Sequence, residues 1–324
     1  MINFKKLVCA AACFAALGTA FVVTSCGSIP IVSEVQGTEG YTDAQTMLVI
    51  ATERNRYREI YTDQIWEVEV RDDGTRFQDY LLGEIRGFLR ELRTMNLMAD
   101  QEKMTLTGQE KELLRKLSEE YYASLTEADR AYIGADAEDV YTMYEAYHRA
   151  NKLVNELTKD VNMEISDSEA KVITLQEIRV GNEADAQAAY ARVTEENADF
   201  AGVARAASED KVIEKSVGRG ERDTAYEDVV FSLEKGQISP VFQVGDAWYI
   251  VKCVNDYDEE ATLERKQKLA FQRKEQAFRR IYDQFAAAHP VEIGGAVWDR
   301  ISFTDGADST TTDFFERYQE TMGQ

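Results

Sequence analysis

Histidine and catalytic motifs are scarce in this 324-residue sequence, and each of these shortages disfavours a class of function. The two histidines are His148, within a helical pattern, and His289, directly before Pro290. Neither lies near a G-x-S-x-G motif, so a Ser/His/Asp hydrolase is unsupported. His148 has no second histidine and no cysteine nearby, which favours a helix-face position over a metal ligand. Walker and Rossmann glycine patterns are also missing, so we expect no nucleotide, no other cofactor and no metal.

Basic residues are the next shortage: 37 Lys and Arg stand against 59 Asp and Glu, which gives a formal net charge of −22. Phosphate backbones are bound by clustered Lys and Arg, so this balance disfavours nucleic acid and anionic lipid surfaces as partners. It favours solubility and neutral or basic partners.

Acidic residues are missing from the first 25 positions. Two lysines precede an uncharged run, residues 7–23, and small residues follow at 24–25. The run is near the lower limit of length for crossing a bilayer, and the small residues favour cleavage. Residues 1–25 are therefore predicted to be a secretory signal peptide.

Cys26 follows this segment directly. The preceding Val23-Thr24-Ser25 resembles a bacterial lipobox, which implies thioether lipidation of Cys26 and cleavage before it. The alternative is an ordinary signal peptide in which Cys26 is an incidental thiol; we favour lipidation because motif position, apolar length and flanking charge agree. We thus expect an extracytoplasmic protein, lipid-anchored to the bacterial cell membrane, with Gly-, Ser- and Thr-rich residues 26–42 as its tether.

Cysteine would be nearly absent from the mature chain. Cys9 and Cys13 leave with the signal peptide, and Cys253 is the remaining thiol besides Cys26. The same cleavage removes two lysines and no acid, so the formal charge changes from −22 to −24. An internal disulfide framework is excluded, and stability has to come from a packed core.

Apolar residues recur at helical spacing between about residues 43 and 165, with no proline among them. Three sets define the predicted helix faces: Leu81, Ile85, Phe88 and Leu92; Leu113, Leu117, Tyr121 and Leu125; and Tyr141, Tyr144 and His148. The tyrosines could line a peptide-binding face, but aromatic stripes at this spacing are more often core, which we favour. Asp72-Asp73-Gly74 predicts a turn, either in a short hairpin or between two helices.

The periodicity changes after Ser166, which forms a capping-box pattern with Glu169. β-branched residues then predict a strand, followed by helical "EADAQAAYARV" and "DFAGVARAASED", glycine-punctuated "SVGRGERD" and helical "YEDVVFSLEKGQ". Two short strands, "PVFQV" and "AWYIVKCV", are joined through Gly245-Asp246. Residues 171–255 are therefore predicted to form a compact α+β domain. A long basic helix follows and ends before Pro290, with these aromatic residues on one face: Phe271, Phe278, Tyr282 and Phe285.

Three motifs, "ADFAGVARAASED", "GRGERDTAYEDVVFSLEKGQIS" and "PVFQVGDAWYIVKCV", follow the order of a parvulin-type (PpiC) peptidyl-prolyl isomerase domain, which residues 171–255 resemble. With its lipobox and flanking helices, the chain is similar overall to the PrsA-type and SurA-type foldases of the bacterial envelope. The resemblance implies a β-α-β lobe inserted between N- and C-terminal helical chaperone segments, residues 43–165 and 258–324, the second packing on the first. It also implies unfolded or partly folded secreted polypeptides as partners.

Parvulins are similar to one another in having two facing histidines, a cysteine or aspartate, a methionine and an aromatic residue. The resemblance puts Glu177 and Tyr249 at the two histidine positions and Asp210 at the Cys/Asp position as catalytic candidates. It puts Tyr226 at the aromatic wall and Arg222 at the methionine position, as substrate-binding candidates. A guanidinium in a proline pocket carries a desolvation cost unless an acid pairs with it, so a charge cluster of Arg222, Glu177 and Asp210 is one hypothesis.

Three functions remain open from the sequence. The first is a lipid-anchored foldase with isomerase and chaperone activity; the second is a chaperone or scaffold that uses the same fold without catalysis. The third is a solute-binding or structural lipoprotein with coincidental motifs, which the ordered match from Glu177 to Tyr249 disfavours. Loss of both family histidines separates the first function from the second.

We predict that Cys26→Ala leaves an uncleaved or soluble precursor, because the substitution removes both the lipid attachment atom and the cleavage signal. Membrane fractionation and intact-mass measurement of the expressed protein check this. Unchanged fractionation together with an unchanged mature mass would contradict lipidation.

Overall fold

Residues 40–323 are described by the computed structural model, and the chain divides into two units. The first comprises residues up to 160 together with 277 onward, and the second comprises residues 161–276. The predicted signal peptide, Cys26 and the tether as far as residue 39 lie outside the described residues. Within residues 40–323, no helix is both long enough and apolar enough to cross a membrane.

Helices make up the first unit. They are α1 (Asp43–Ile60), a 3-10 turn (Asp63–Glu67), α2 (Phe77–Gln101), α3 (Gly108–Ser124), α4 (Glu127–Ile133), α5 (Ala137–Leu157), α11 (Val297–Arg300) and α12 (Phe314–Met322). Four of them begin with a full capping box, whose N-cap residues are Thr42, Thr107, Thr126 and Asp136. In each box the cap side chain accepts from the N3 amide while the N3 side chain accepts from the cap amide. Backbone donors that a helix start would leave unpaired are satisfied locally.

The tyrosines of α5 form core, as the helical spacing predicted. Tyr144 is fully buried and stacks on Phe314 of α12, with ring centroids 4.3 Å apart and an interplanar angle of 4°. Its hydroxyl donates to the carbonyl oxygen of Phe314 at 3.0 Å. The ring of Tyr121 from α3 meets Phe314 edge-on at 5.3 Å. His148, also on α5, hydrogen-bonds through Nδ1 to the Tyr318 hydroxyl at 2.8 Å.

The predicted stripe on α3 is wrong by one residue at its start. Leu113 is 38 % exposed, whereas Leu114 is fully buried together with Leu117 and Tyr121. Repeated steps of four residues drift about 40° per step around a helix, while alternating steps of three and four stay on one face. On α2 the predicted residues are buried except Phe88, which is half-buried.

Residues 68–77 resolve the choice between a hairpin and a helix-helix turn. The Val70 amide donates to the Thr75 carbonyl at 2.9 Å and the Phe77 amide to the Val68 carbonyl at 2.8 Å, which is a short hairpin. Gly74 adopts φ = 82°, a conformation that costs other residues a steric penalty. The predicted tether also ends earlier than expected, because Tyr41 is packed against the first unit and burial raises its pKa.

The second unit is α+β, as predicted, with an antiparallel sheet in the order β2-β1-β4-β3. Its elements are α6 (Asp167–Ala170), β1 (Val172–Val180), α7 (Glu183–Val193), α8 (Phe200–Ala207), β2 (Glu214–Gly218), α9 (Thr224–Val230), β3 (Phe242–Val244) and β4 (Ala247–Asn255). Strand β2 was not predicted, since glycine and charged residues obscure its pattern. Cys253 is buried on β4 as a small apolar residue, and burial raises its pKa.

Helix α10 (Glu259–Ala288) passes from the second unit to the first, with the boundary at residues 276 and 277. This differs from a C-terminal helix that packs as a whole on the N-terminal helices. Its first half forms ion pairs within the second unit, among them Arg273 with Glu169 at 2.5 Å. Its second half buries Phe278 and Tyr282 and pairs Arg279 with Glu91 of α2 at 2.9 Å.

The C-terminal segment is held to the first unit by buried polar groups. Asp129, which is 2 % exposed, accepts from the Ser309 hydroxyl at 2.9 Å and from the amides of Thr310 and Thr311 at 2.7 and 3.0 Å. Burial alone would raise the pKa of Asp129, but hydrogen bonds, first from Thr126 and then from these groups, lower it below its usual value. The segment therefore depends on an ionised carboxylate.

We predict that Asp129→Ala lowers the free energy of unfolding by about 3 kcal/mol at pH 7, because five donors lose a charged acceptor: the hydroxyls of Thr126 and Ser309 and the amides of Thr126, Thr310 and Thr311. A depressed pKa contributes stability above the unfolded value and loses it as pH falls through the folded value. The difference from the parent chain should therefore shrink below pH 3.8, the ordinary value for aspartate. Urea unfolding of residues 27–324 measures it, with exposed Asp308→Ala as control; a pH-independent difference would contradict the assignment.

Candidate functional site

The candidate site lies on one face of the sheet in the second unit. Side chains alternate along a strand, so Glu177 and Arg179 of β1 point to the same face as buried Leu175. The register pairs Glu177 with Val251 and Arg179 with Tyr249 of β4. Helix α9 packs on this face through Tyr226, which belongs to the same apolar cluster as Leu175 and Val251.

Glu177 and Tyr226 form a buried hydrogen bond at the centre of the face. The Tyr226 hydroxyl donates to Glu177 Oε2 at 2.5 Å, and the two residues are 3 % and 1 % exposed. Burial, followed by the nearby Glu177 charge, raises the pKa of Tyr226 far above its usual value. Tyr226 therefore stays a neutral donor, and it satisfies a carboxyl group that would otherwise be costly to bury.

Three aromatic rings line the outer part of the face. Tyr226 meets Tyr249 edge-on at 5.5 Å and Phe242 at 5.8 Å, while Phe242 and Tyr249 stack at 5.7 Å. Phe242 and Tyr249 are half-buried. The arrangement leaves the rings of Phe242 and Tyr249 partly open to solvent.

Asp210 pairs with bases rather than with Tyr249. Its carboxylate lies 3.2 Å from Lys215 Nζ and 3.9 Å from an Arg179 guanidinium nitrogen. Arg179 in turn hydrogen-bonds the Tyr249 side chain, which is the main cause that raises the pKa of Arg179.

Arg222 stands apart from both acids. It is exposed, and its guanidinium carbon lies over the Tyr226 ring, 5.3 Å from the centroid. Among the ion pairs of residues 40–323, none joins Arg222 to Glu177 or Asp210, so the hypothesis of a three-residue charge cluster is wrong. Glu227 explains the placement, because its carboxylate accepts from the Gly220 and Arg222 amides at 2.8 and 2.9 Å and fixes this loop.

Within the described part of the chain, no group of three or more His, Cys, Asp or Glu side chains could hold a metal ion. The face offers instead an aromatic surface, a buried carboxyl with its tyrosine donor, and a polar rim of Arg179, Lys215 and Asp210. Such a surface can bind an apolar ring and hydrogen-bond the polar groups beside it.

Residues 170–255 match the family model described as Rotamase, the PPIC-type PPIASE domain. The chain carries a parvulin-type peptidyl-prolyl isomerase domain. The match confirms the predicted family for about a quarter of the sequence. Both histidines of the chain, His148 and His289, lie outside this isomerase domain.

Solved structures similar to the chain include foldases and chaperones. Foldase protein PrsA from Streptococcus pneumoniae is 18% identical, with 69% of this chain and 94% of that chain covered and a TM-score of 0.28. PrsA from Bacillus cereus is 18% identical, with 78% and 99% covered and a TM-score of 0.37. A SurA-like chaperone structure from Campylobacter jejuni is 13% identical, with 64% and 86% covered and a TM-score of 0.27. No curated protein matches the sequence.

Three residues of the isomerase domain's face were missed by sequence reasoning. Arg179 lies two residues after Glu177 on a predicted strand, so alternation alone could have placed it on the same face. Phe242 pairs with Tyr249 across the Gly245-Asp246 turn, and counting outward from that turn predicts the pair. Lys215 had no such signal, because strand β2 was itself not predicted.

We predict that Tyr226→Phe destabilises the isomerase domain by about 2 kcal/mol, because a buried carboxyl loses its hydroxyl donor. In a Glu177→Gln background the same change should cost clearly less, since a neutral amide is cheaper to leave without that donor. Urea unfolding of the four chains of this double-mutant cycle gives the coupling energy. Equal costs in the two backgrounds would show that the hydrogen bond does not stabilise the domain.

Proposed function

We propose that the protein is an extracytoplasmic foldase, anchored through a lipid on Cys26, whose isomerase domain binds proline-containing segments of secreted polypeptides. The observation that carries the proposal is the cluster of three aromatic rings, Tyr226, Phe242 and Tyr249, in a domain that matches the PPIC-type family; Phe242 and Tyr249 are its half-buried members. The proposed lipid anchor rests on the lipobox pattern before Cys26. The proposed polypeptide clients are consistent with the net negative charge of the chain, which disfavours nucleic acid.

The reaction requires no covalent step. Rotation about the X-Pro peptide bond meets a barrier of about 18–20 kcal/mol because resonance keeps the amide planar. The planar amide has more charge separation than the twisted one, so an apolar surface that removes water favours the twisted state. In this proposal the aromatic surface holds the proline ring, and the rim of Arg179 and Lys215 hydrogen-bonds carbonyl oxygens of the client backbone.

Glu177 serves the site through Tyr226 in this proposal. Its carboxyl accepts the Tyr226 hydroxyl hydrogen bond and thereby fixes the ring that would contact proline. Glu177 is therefore a positioning residue. Tyr249 acts by its ring, because its hydroxyl group is engaged with Arg179.

A specific observation favours the alternative, a chain-binding domain without catalysis. Arg222 covers the Tyr226 ring, 5.3 Å from its centroid, where an apolar side chain would help to hold a proline ring. A guanidinium there keeps water near the amide and competes for the aromatic face. The two functions are separated by measuring isomerisation and aggregation suppression in one refolding experiment.

We predict that Arg222→Met raises the rate of proline-limited refolding of a model protein by about threefold, since the cation–π contact it removes is worth about 0.5–1 kcal/mol. Suppression of aggregation should hardly change. Residues 27–324 serve as catalyst, and Arg219→Met is the matched control. Arg219 lies in the same loop as Arg222, but its guanidinium carbon lies over a different ring, 4.3 Å from the centroid of Phe231.

Two outcomes would count against this interpretation. A parent chain that is already fast and is slowed by Arg222→Met would show that the guanidinium acts directly on the prolyl amide. A parent chain without any effect on either the proline-limited phase or aggregation would remove the foldase proposal itself.

A further inference from the structure

A cavity of about 550 Å³ lies within the first unit, lined by residues of that unit alone. Arg86 and Arg90 of α2 line one side. Apolar side chains of the chain after α10, at Pro290, Val291 and Ile293, line another. Its volume falls in the range of sites that enclose small molecules or a few residues of a peptide.

The two arginines lack acidic partners. The ion pairs formed within residues 40–323 include neither Arg86 nor Arg90, although acids outnumber bases 59 to 37. Glu91, the acid next to Arg90, is already paired with Arg279 at 2.9 Å. Like charges four residues apart on a helix repel each other, so an anion placed between Arg86 and Arg90 would relieve an existing cost.

The guanidinium of Arg86 stacks on an aromatic ring and forms no ion pair with an acid of residues 40–323. Its guanidinium carbon lies 4.4 Å from the centre of the Trp298 ring, and Trp298 Nε1 donates to the Gly294 carbonyl at 3.1 Å. Nε of Arg86 is buried without a hydrogen-bond partner. A guanidinium stacked on an indole keeps its in-plane N–H donors for a planar acceptor, so the cation is oriented before any ligand arrives.

One carboxylate also reaches this cavity. Glu292, between Val291 and Ile293, lines it and is exposed to solvent. It offsets one of the two positive charges, so the lining keeps a net charge of about +1. This is the opposite sign to the chain as a whole.

We propose that this cavity binds a carboxylate flanked by apolar residues in a polypeptide segment. Arg pairs with a planar carboxylate through two parallel hydrogen bonds, which a stacked guanidinium is oriented to make. Exposed Pro290, together with the edges of buried Val291 and Ile293, gives a neighbouring apolar side chain a contact that an inorganic anion would leave unused. The proposal rests on the proposed foldase function only in that the segment belongs to a client polypeptide.

Calorimetric titration of residues 27–324 tests the site with synthetic peptides. The probe is capped Ala-Leu-Val-Glu-Leu-Ala, and its Gln analogue is the reference. The Glu peptide should bind about tenfold more tightly than the Gln peptide, and Arg90→Gln should abolish that preference. Glu292→Gln should strengthen binding of the Glu peptide, since it removes a repelling charge. The Gln peptide with a free C-terminus shows whether a terminal carboxylate is accepted as well as a side chain.

Arg71→Gln is the matched control, because Arg71 stacks on Tyr80 at 5.2 Å in the same unit but outside the cavity. Equal affinity for the Glu and Gln peptides, or a preference that survives Arg90→Gln, overturns the proposal. So does equal binding of Ala-Ser-Ser-Glu-Ser-Ala, which would reveal a general anion site. Peptide binding only by a chain that starts at residue 40 would instead identify residues 27–39 as the occupant.

The refolding assay and this titration can fail separately. Arg90→Gln leaves every residue of the isomerase face intact, so its effect on peptide preference carries no information about Arg222 or Tyr226. A chain that isomerises proline but ignores the Glu peptide refutes only the cavity proposal. A chain that prefers the Glu peptide but does not affect refolding refutes only the foldase.

Discussion

The Glu177 carboxyl lies on an otherwise apolar sheet face and has to receive its hydrogen bond from within the protein. Tyr226 provides it, so the position of α9 over the sheet is tied to a single polar contact of 2.5 Å. That contact places the Tyr226 ring against Tyr249 and Phe242, and Glu227 on the same helix fixes the loop that carries Arg222. The aromatic surface and the overlying guanidinium both follow from the same helix placement.

Local charge differs from the overall charge at two places in this acidic chain. On the isomerase domain's face, Arg179 pairs with Glu209 and Asp210, and Lys215 pairs with Asp210, so two acids are balanced by two bases. In the cavity of the first unit, Arg86 is oriented by Trp298 and Arg90 has no acidic partner among residues 40–323. Net charge governs long-range repulsion and solubility, whereas such local groups decide what binds at contact distance.

The two residues that the parvulin resemblance assigns to histidine positions each lie beside another polar side chain of the domain. Glu177 and Tyr249 occupy the positions that the resemblance assigned to histidines, yet each is engaged with a neighbour, Tyr226 or Arg179. The polar groups of the face are therefore committed to holding aromatic rings in place. This favours recognition of an apolar ring over direct hydrogen bonding to the reacting amide, and Arg222 adds a cation over the Tyr226 ring.

Much of the architecture could be predicted from the sequence, because helix caps, helix periodicity and strand alternation are local properties. The Ser166 cap of α6, the β3-β4 turn at Gly245-Asp246 and the long helix before Pro290 all follow from residues within one or two turns of each other. The resemblance to parvulins, rather than a local pattern, singled out Glu177, Tyr226 and Tyr249. Local patterns could not place β2, whose pairing with β1 depends on a partner about 40 residues away in sequence.

Only the tertiary structure decided which groups meet. Asp210 pairs with Lys215 and Arg179 because the pairing of β1 with its neighbours sets that distance, and Arg222 stacks on Tyr226 because Glu227 holds its loop. Arg86 and Arg90 look in the sequence like two ordinary solvated charges on a helix. Whether a charge is paired depends on side chains brought from distant positions by packing, and no local pattern encodes that distance.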